Sequence, residues 1–292
     1  MSYRWWSCCR TTTGRQRSVN EDAYLGLDEQ GLWLVADGMG GHARGDVASR
    51  LIVEAFEDLR RPPSLDAFAQ EVRSRLALAN QRMREEARRA GSDQLMGSTV
   101  VAFLAHKREW LCMWAGDSRA YLLRDGRLTQ ITRDHSVAEE LVQRGELRRE
   151  EAASHPSANR ITRAVGTQDR LVVDQYRSAL RDGDAVLLCS DGLNKEVGDD
   201  EVATILDDYD CEEASRELVE QTLERGARDN VTVAVIRFEA TTGFGDRRPD
   251  DTAVNHGFTQ QMPPDPPPAR TGRARHEPLS ERVERGMASF SQ

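Results

Sequence analysis

Four aspartates lie where a short apolar segment meets a turn, and these junctions constrain the fold more than any other feature. They are Asp37, Asp117, Asp191 and Asp229. Each adjoining segment is bounded by glycine or asparagine, which is the pattern of a buried strand. If the strands share a sheet, their ends can bring the four carboxylates together. Hard cations such as Mg²⁺ or Mn²⁺ prefer oxygen ligands of this kind, so the pattern indicates a metal site.

Asp-Gly pairs also form hairpin turns, because both residues tolerate positive φ. Asp125-Gly126 separates two strand-like segments and Asp182-Gly183 precedes another, so we expect turns at both. By contrast, a glycine-rich segment and then a helix are expected after Asp37-Gly38. The segment 191–195 is expected to lead into a polar loop. No returning strand is expected after Asp37-Gly38 or after Asp191-Gly192, which favours a functional role for these two pairs.

Composition divides the chain into a folded domain and a tail. The chain has 292 residues and 38% hydrophobic content, enough for a substantial core. From about residue 240 the periodic apolar residues stop, and seven of the ten prolines lie beyond that point. We therefore predict a domain over 1–239 and a disordered Pro/Arg-rich tail over 240–292.

Charge and cysteine content exclude several classes of protein. The tail contains equal numbers of acidic and basic residues, so the formal net charge of −9 belongs to the domain. An acidic domain argues against nucleic acid as a partner. The five cysteines form no Cys-x-x-Cys pair, and no stretch approaches eighteen apolar residues. We expect a cytoplasmic, monomeric protein that neither contacts nor spans a membrane.

The predicted elements cluster by type and do not alternate strictly. Helices are expected from about residue 45, between 64 and 91, near 199–207 and at 212–225. The polar segment 134–167 is expected to be a peripheral insertion. Clustered strands and paired helices favour an α+β fold, with two mostly antiparallel sheets flanked by helices. The predicted strands are 4–12, 23–27, 31–36, 98–104, 109–115, 120–123, 128–131, 171–178, 184–189 and 231–238.

A phosphoryl substrate is suggested by Arg17, which precedes Glu21 by four residues. Alone, this segment resembles a solvated charged loop. Together with the four aspartates it indicates a phosphate-binding site, because a guanidinium fork suits phosphate oxygens while carboxylates bind divalent cations. Two such cations would lower the pKa of a shared water and allow hydrolysis without a covalent intermediate. The sequence lacks the Gly-x4-Gly-Lys-Ser/Thr motif of P-loop nucleotide sites.

Eight motifs, in order, resemble the metal-dependent serine/threonine protein phosphatases, the PPM or type 2C class, in their compact bacterial form. The resemblance extends from about residue 14 to 238. One such motif would carry little weight, but eight in the family order are specific. The motifs occupy residues 17–22, 35–42, 96–99, 115–119, 134–136, 161–166, 189–193 and 229–232.

The resemblance implies a four-layer αββα sandwich with a two-metal site at one edge between the sheets. Asp37 would bridge both metals, and the carbonyl of Gly38 would be a further ligand. Asp191 and Asp229 would complete one metal, while Glu21 would lie near the other through a water.

The resemblance also implies roles around this centre. Asp117, with Asp191, would bind a third and weaker metal, and Arg17 would hold the substrate phosphate. The segment 134–167 would be a mobile flap. His42 is a candidate acid for the leaving alkoxide, with helix capping or a structural role as the alternative.

The sequence thus predicts a Mg²⁺- or Mn²⁺-dependent phosphatase that acts on phosphoserine and phosphothreonine in proteins and opposes a Ser/Thr kinase. Two alternatives differ in class. One is a non-catalytic phosphoprotein-binding module on the same fold, which degraded ligand positions would reveal. The other is a two-metal nuclease, which the acidic domain disfavours.

Overall fold

The computed structural model describes residues 2–40, 44–89, 96–152, 155–158 and 160–241. Its strands are β1 Ser2–Thr12, β2 Asp22–Leu27, β3 Leu32–Gly40, β4 Met96–Ser98, β5 Val100–His106, β6 Glu109–Ala115, β7 Arg119–Arg124, β8 Arg127–Gln130, β9 Asp174–Ala179, β10 Ala185–Cys189 and β11 Val231–Thr241. Its helices are α1 Gly45–Glu54, α2 Leu65–Arg89, α3 Val137–Gln143, α4 Arg149–Ala152, α5 Asp191–Asn194, α6 Asp199–Asp208 and α7 Cys211–Glu224.

The strands form two sheets, and neighbouring strands in both are antiparallel. The first sheet has the order β1-β11-β10-β7-β8. The second has the order β2-β3-β5-β6-β9, and β4 pairs with β3 beside it. The prediction of two mostly antiparallel sheets is therefore confirmed.

Three hydrophobic layers hold the elements together, as a four-layer arrangement requires. Because side chains alternate across a strand, Leu34 of β3 faces the α1 and α2 side whereas Trp33 faces the other sheet. Between the sheets, Trp33 packs with Phe103 and Phe238. A third cluster joins the first sheet to α6 and α7. The fold is an αββα sandwich, as the sequence predicted.

Asp125-Gly126 forms the predicted hairpin turn between β7 and β8. Both residues have positive φ, 52° and 71°, which suits the twist of a two-residue hairpin loop. Gly183, with φ of 80°, lies in the turn before β10. The distinction between turn aspartates and the other Asp-Gly pairs is thus supported at these two positions.

One local prediction around the Asp-Gly pairs is wrong, and another lacks a helix. β3 does not end before Asp37 but continues to Gly40, because its last residues pair with β4. The segment 191–195 leads into a loop as expected, but it first forms the short helix α5, with Lys195 at its C-terminal cap. Both differences change how the site is held.

The segment 134–167 is only partly peripheral. It contains α3 and α4 on the outside, but Val165 is fully buried in the core beneath α1 and α2. Val165 also exchanges two backbone hydrogen bonds with Ser98, at 2.8 and 2.9 Å. The end of the segment nearest β9 is therefore anchored in the core, contrary to the prediction.

The last strand runs to Thr241, two residues beyond the predicted domain boundary. The rest of the predicted tail, 242–292, lies outside the described residues. In the described ranges, no helix is long and apolar enough to cross a membrane.

Candidate functional site

The four aspartates meet where the two sheets end together. Asp37 lies in β3 of the second sheet and Asp117 in the turn after β6. Asp191 follows β10 of the first sheet, and Asp229 precedes β11. Burial raises the pKa of Asp37 well above its usual range, and the charges of Asp22, Asp191, Asp117 and Asp229 raise it further. The predicted convergence of carboxylates from distant parts of the sequence is present.

Hydrogen bonds to both the N–H and the carbonyl group fix the backbone of Asp37. Its N–H donates to Thr99 Oγ1 at 3.0 Å, and its carbonyl accepts from the Thr99 N–H at 2.8 Å and from Ser98 Oγ at 3.0 Å. These partners come from the β4–β5 junction, so the strand that carries Asp37 is held on the side opposite β2. The carboxylate is left to face the other acids.

Gly38 is a site of close backbone approach. A Cβ there would lie 1.9 Å from the Gly45 carbonyl oxygen and 2.6 Å from that of Glu21. The Gly38 N–H donates to Glu21 O at 3.0 Å, and Glu21 Oε1 accepts from the Gly45 N–H at 3.1 Å. Burial raises the pKa of the Glu21 carboxyl. Only glycine lets β3, the Glu21 loop and the start of α1 meet here.

Asp229 and Asp191 are joined by cationic side chains. Arg17 Nη2 lies 2.9 Å from Asp229 Oδ1. Lys195 Nζ lies 2.5 Å from Asp191 Oδ2 and 3.3 Å from Asp229 Oδ2. The pKa of Asp191 is raised by burial, and Lys195 only partly offsets this. Arg17 was predicted from the sequence to lie in the site, whereas Lys195 was not.

Asp22 is a second residue of the site that was not predicted from the sequence, although it lies in the first motif. Its Oδ2 accepts hydrogen bonds from Ser190 Oγ and Thr232 Oγ1, each at 2.7 Å. Burial raises its pKa to about 7. Ser190 is fully buried and serves this bond, which agrees with the absence of any base positioned for a nucleophilic serine.

Asn230 ties the Arg17 loop to the site. Its Nδ2 donates to Thr13 O at 2.8 Å and Val19 O at 3.0 Å, and its Oδ1 accepts from the Glu21 N–H at 2.8 Å. One amide side chain beside Asp229 thus holds both ends of the loop that carries Arg17. The position of the Arg17 guanidinium therefore depends on Asn230, which holds the loop, and on Asp229, which pairs with the guanidinium.

The turn that carries Asp117 is fixed by His135. Gly116 has φ of 120°, and a Cβ on it would lie 2.6 Å from Thr99 Cβ. Its N–H donates to His135 Nδ1 at 3.0 Å, and its carbonyl accepts from the His135 N–H at 2.9 Å. His135 Nε2 in turn lies 3.2 Å from Asp174 Oδ2. Residue 135 therefore belongs to the support of the Asp117 turn.

The acidic oxygens fit a divalent cation. Burial, followed by the charges of Asp191 and Asp134, raises the pKa of Asp117 to about 8. Among the described residues, the Oδ1 atoms of Asp22, Asp117 and Asp191 are buried and have no hydrogen-bond partner. Buried acceptors without partners are costly, and a bound cation would satisfy them.

No group of three or more histidine, cysteine or acidic side chains in the described ranges forms a ready-made coordination shell. A cationic group of the chain is already present at two of these acids, because Lys195 Nζ contacts both Asp191 and Asp229. An ammonium in that position shows that the pair accepts a cation. The candidate ligands are Asp37, Asp191, Asp229, the Gly38 carbonyl, Glu21 through water, and Asp117.

Two further groups of the sequence are His42 and the pair of Cys9 and Arg15. His42 lies outside the described residues, so its role stays a prediction. Cys9 and Arg15 have the Cys-x5-Arg spacing found in cysteine-dependent phosphatases, but a phosphatase of that class is not expected from the sequence. Cys9 lies within β1, and burial raises the pKa of its thiol. A thiol with a raised pKa stays protonated at neutral pH, so Cys9 is not suited to act as a thiolate nucleophile.

Comparison with known proteins agrees with this geometry. The family model described as protein phosphatase 2C matches residues 11–235. The serine/threonine phosphatase stp of Listeria welshimeri is 34% identical over 235 residues, which cover 78% of this chain and 93% of that protein.

Two solved structures are also similar. PppA, described as a key regulatory component of T6SS in Pseudomonas aeruginosa, has 43% identity and a TM-score of 0.75, covering 80% of this chain and 98% of its own. The catalytic domain of PstP, solved with two manganese ions, has 34% identity and a TM-score of 0.74, covering 82% and 100%. The chain belongs to the protein phosphatase 2C family.

Proposed function

We propose that this chain is a Mg²⁺- or Mn²⁺-dependent serine/threonine protein phosphatase that hydrolyses phosphoserine and phosphothreonine. The observation that carries the proposal is the meeting of four aspartates from both sheets, with buried oxygens that lack partners and with Arg17 beside them. The family membership and the two manganese ions in the PstP structure support it.

Asp37, Asp191 and Asp229 would hold the metals, with the Gly38 carbonyl and, through water, Glu21. Asp117 would serve a third and weaker position. When bound, the cations lower the pKa of water and neutralise charge that develops on the phosphoryl group. The described contacts explain how the chain presents these oxygens, since Thr99 fixes Asp37 and the glycines at 38 and 45 allow the loops to meet.

Arg17 would bind and orient the substrate phosphate. Its side chain is half exposed, so a ligand can reach the guanidinium, and Asn230 fixes the ends of its loop. A guanidinium can pair with two phosphate oxygens at once, which orients the phosphorus as well as attracting it. Arg17 therefore supplies substrate specificity that the carboxylates cannot.

The substrates would be phosphorylated proteins, and the reaction would oppose a Ser/Thr kinase. Phosphoproteins of a T6SS are the first candidates, because PppA, which shares 43% identity, is described as a regulatory component of one. Cytoplasmic action and a monomeric state remain sequence-based predictions.

Neither alternative accounts for the site as well. A non-catalytic binding module would not need the full set of acidic residues, which this chain retains. A two-metal nuclease would need basic surface for a polyanion, whereas the domain is acidic.

A substrate comparison tests the proposal. Purified protein with Mn²⁺ is assayed on a phosphothreonine peptide, on p-nitrophenyl phosphate and on single-stranded DNA. We expect Mn²⁺-dependent release of phosphate from the first two, abolished by EDTA, and no cleavage of DNA. Cleavage of DNA without peptide dephosphorylation would favour the nuclease. Mn²⁺ binding without any hydrolysis would favour the binding module.

A further inference from the structure

The chain places its own ammonium group between two of the site carboxylates. Lys195 follows the last residue of α5, four residues after Asp191, so helix geometry puts the two side chains on the same face. Its Nζ contacts Asp191 Oδ2 at 2.5 Å and Asp229 Oδ2 at 3.3 Å. The side chain is only 29% exposed. The ammonium thus contacts both carboxylates of the pair at once.

The backbone holds Lys195 in this position. Its N–H donates to the Asp191 carbonyl at 3.1 Å, and Leu193 of the same turn is fully buried. Gly192 packs so closely against β11 that a Cβ would lie 2.0 Å from the Asn230 carbonyl oxygen. The helical turn cannot shift without breaking these contacts, so the ammonium reaches the pair as a consequence of the fold.

The choice of lysine is unusual for this chain. Of its 40 basic residues only Lys107 and Lys195 are lysines, and all others are arginines. An arginine here could grip one carboxylate with two parallel hydrogen bonds, whereas an ammonium is a compact charge on a flexible stem. Lysine is therefore better suited than arginine to a position from which another cation must displace the charged group.

The other acids of the site lack such a partner. In the described ranges, no ion pair within 4.0 Å forms at Asp22, Asp37 or Asp117. The built-in positive charge therefore covers one part of the site, the Asp191 and Asp229 pair, and leaves the part around Asp37 uncovered.

We infer that Lys195 is an internal counter-ion that competes with the divalent cation at the Asp191 and Asp229 pair and so weakens metal binding there. The inference rests on the proposed function. A protonated amine has no lone pair for a metal, so it cannot act as a co-ligand. A cation that takes the same oxygens must displace the ammonium, and the free energy of the ion pair is subtracted from its binding.

Metal titration of two matched variants tests this role. Lys195→Met removes the charge while keeping a long side chain, and Lys107→Met removes the same charge at the β5–β6 turn. Mn²⁺ binding to metal-stripped protein is measured by calorimetry. We expect Lys195→Met to bind Mn²⁺ at one position about tenfold more tightly than wild type. Lys107→Met should match wild type, and Lys195→Arg should bind no more tightly than wild type.

Thermal unfolding supplies a second readout. In EDTA, Lys195→Met should melt at a lower temperature than wild type, because Asp191 and Asp229 lose the ammonium that contacts both of them. In saturating Mn²⁺ the deficit should disappear or reverse. If Lys195→Met does not fold without metal, Lys195→Gln, which keeps a polar end, replaces it in both measurements.

The outcomes separate this inference from the proposed function. If wild type binds Mn²⁺ and Lys195→Met binds it equally or more weakly, Lys195 is not a competitor, although the phosphatase assignment stands. If wild type binds no Mn²⁺, the proposed function fails and the role of Lys195 fails with it.

Discussion

Asp22 and Asp37 lie directly opposite each other in the antiparallel pairing of β2 and β3. Two buried acids in one cross-strand pair repel each other when both are charged. They have different partners, because Asp22 accepts hydrogen bonds from two hydroxyls whereas the hydrogen bonds of Asp37 to other described residues involve its backbone. The pair thus consists of one structural acid and one acid that remains available to a metal.

The stability of the metal-free protein should fall as pH rises. The pKa of Asp117 is raised from 3.8 to about 8 and that of Asp22 to about 7. A carboxyl with a raised folded-state pKa contributes stability below its unfolded pKa, and that contribution is lost as pH rises through the folded pKa. Wild type in EDTA should therefore lose stability between about pH 4 and pH 8.

Denaturant unfolding at several pH values checks this, with Asp117→Asn as the comparison. The variant cannot titrate at residue 117, so its stability should fall less steeply over the same range. Added Mn²⁺ should reduce the pH dependence of wild type. Parallel pH profiles for wild type and variant in EDTA would contradict the environment assigned to Asp117.

Gly38→Ala should destabilise the protein and weaken metal binding. The added Cβ would lie 1.9 Å from the Gly45 carbonyl oxygen, so β3 and the start of α1 must separate. We expect a loss of about 3 kcal/mol in unfolding free energy, measured in denaturant. The control is Gly198→Ala, whose Cβ meets only Glu201 Oε2 at 3.6 Å and whose cost should stay near 1 kcal/mol. Equal losses of unfolding free energy in the two variants would contradict a close backbone approach at residue 38.

Arg17→Ala should impair substrate binding more than metal binding. Loss of a charge-assisted hydrogen bond to phosphate should raise KM for a phosphopeptide about tenfold or more. Arg15→Ala is the matched control, because Arg15 Nε donates to the Leu223 carbonyl and makes no contact with a site acid. Steady-state kinetics in saturating Mn²⁺ decide between them. An unchanged KM in Arg17→Ala would exclude the phosphate-binding role.

Much of the architecture could be predicted from sequence because its signals are local. The continuous apolar run of β3 and the periodic apolar residues of α2 follow from each segment's own burial. The extension of β3 through Gly40 could not be predicted in this way, because it depends on pairing with Met96–Ser98, far away in sequence. The anchoring of Val165 to Ser98 has the same cause.

Most acids of the site and Arg17 could be predicted from the sequence, whereas Lys195 and Asp22 could not. Asp37, Asp191 and Asp229 lie beside strands that local patterns reveal. The contact between Lys195 and Asp191 requires a four-residue helix, which is too short to leave an apolar period. The place of Asp22 in the site could not be predicted because its hydroxyl partners, Ser190 and Thr232, come from the other sheet.

The most direct test of the account compares Asp37→Asn with Asp125→Asn in a Mn²⁺-dependent assay on a phosphothreonine peptide. Both changes replace one carboxylate by an amide, but Asp125 lies in the β7–β8 hairpin turn, where asparagine tolerates positive φ. The account predicts a loss of at least about a thousandfold in kcat/KM for Asp37→Asn and wild-type activity for Asp125→Asn. Wild-type activity in a folded Asp37→Asn variant would contradict the central role of this carboxylate.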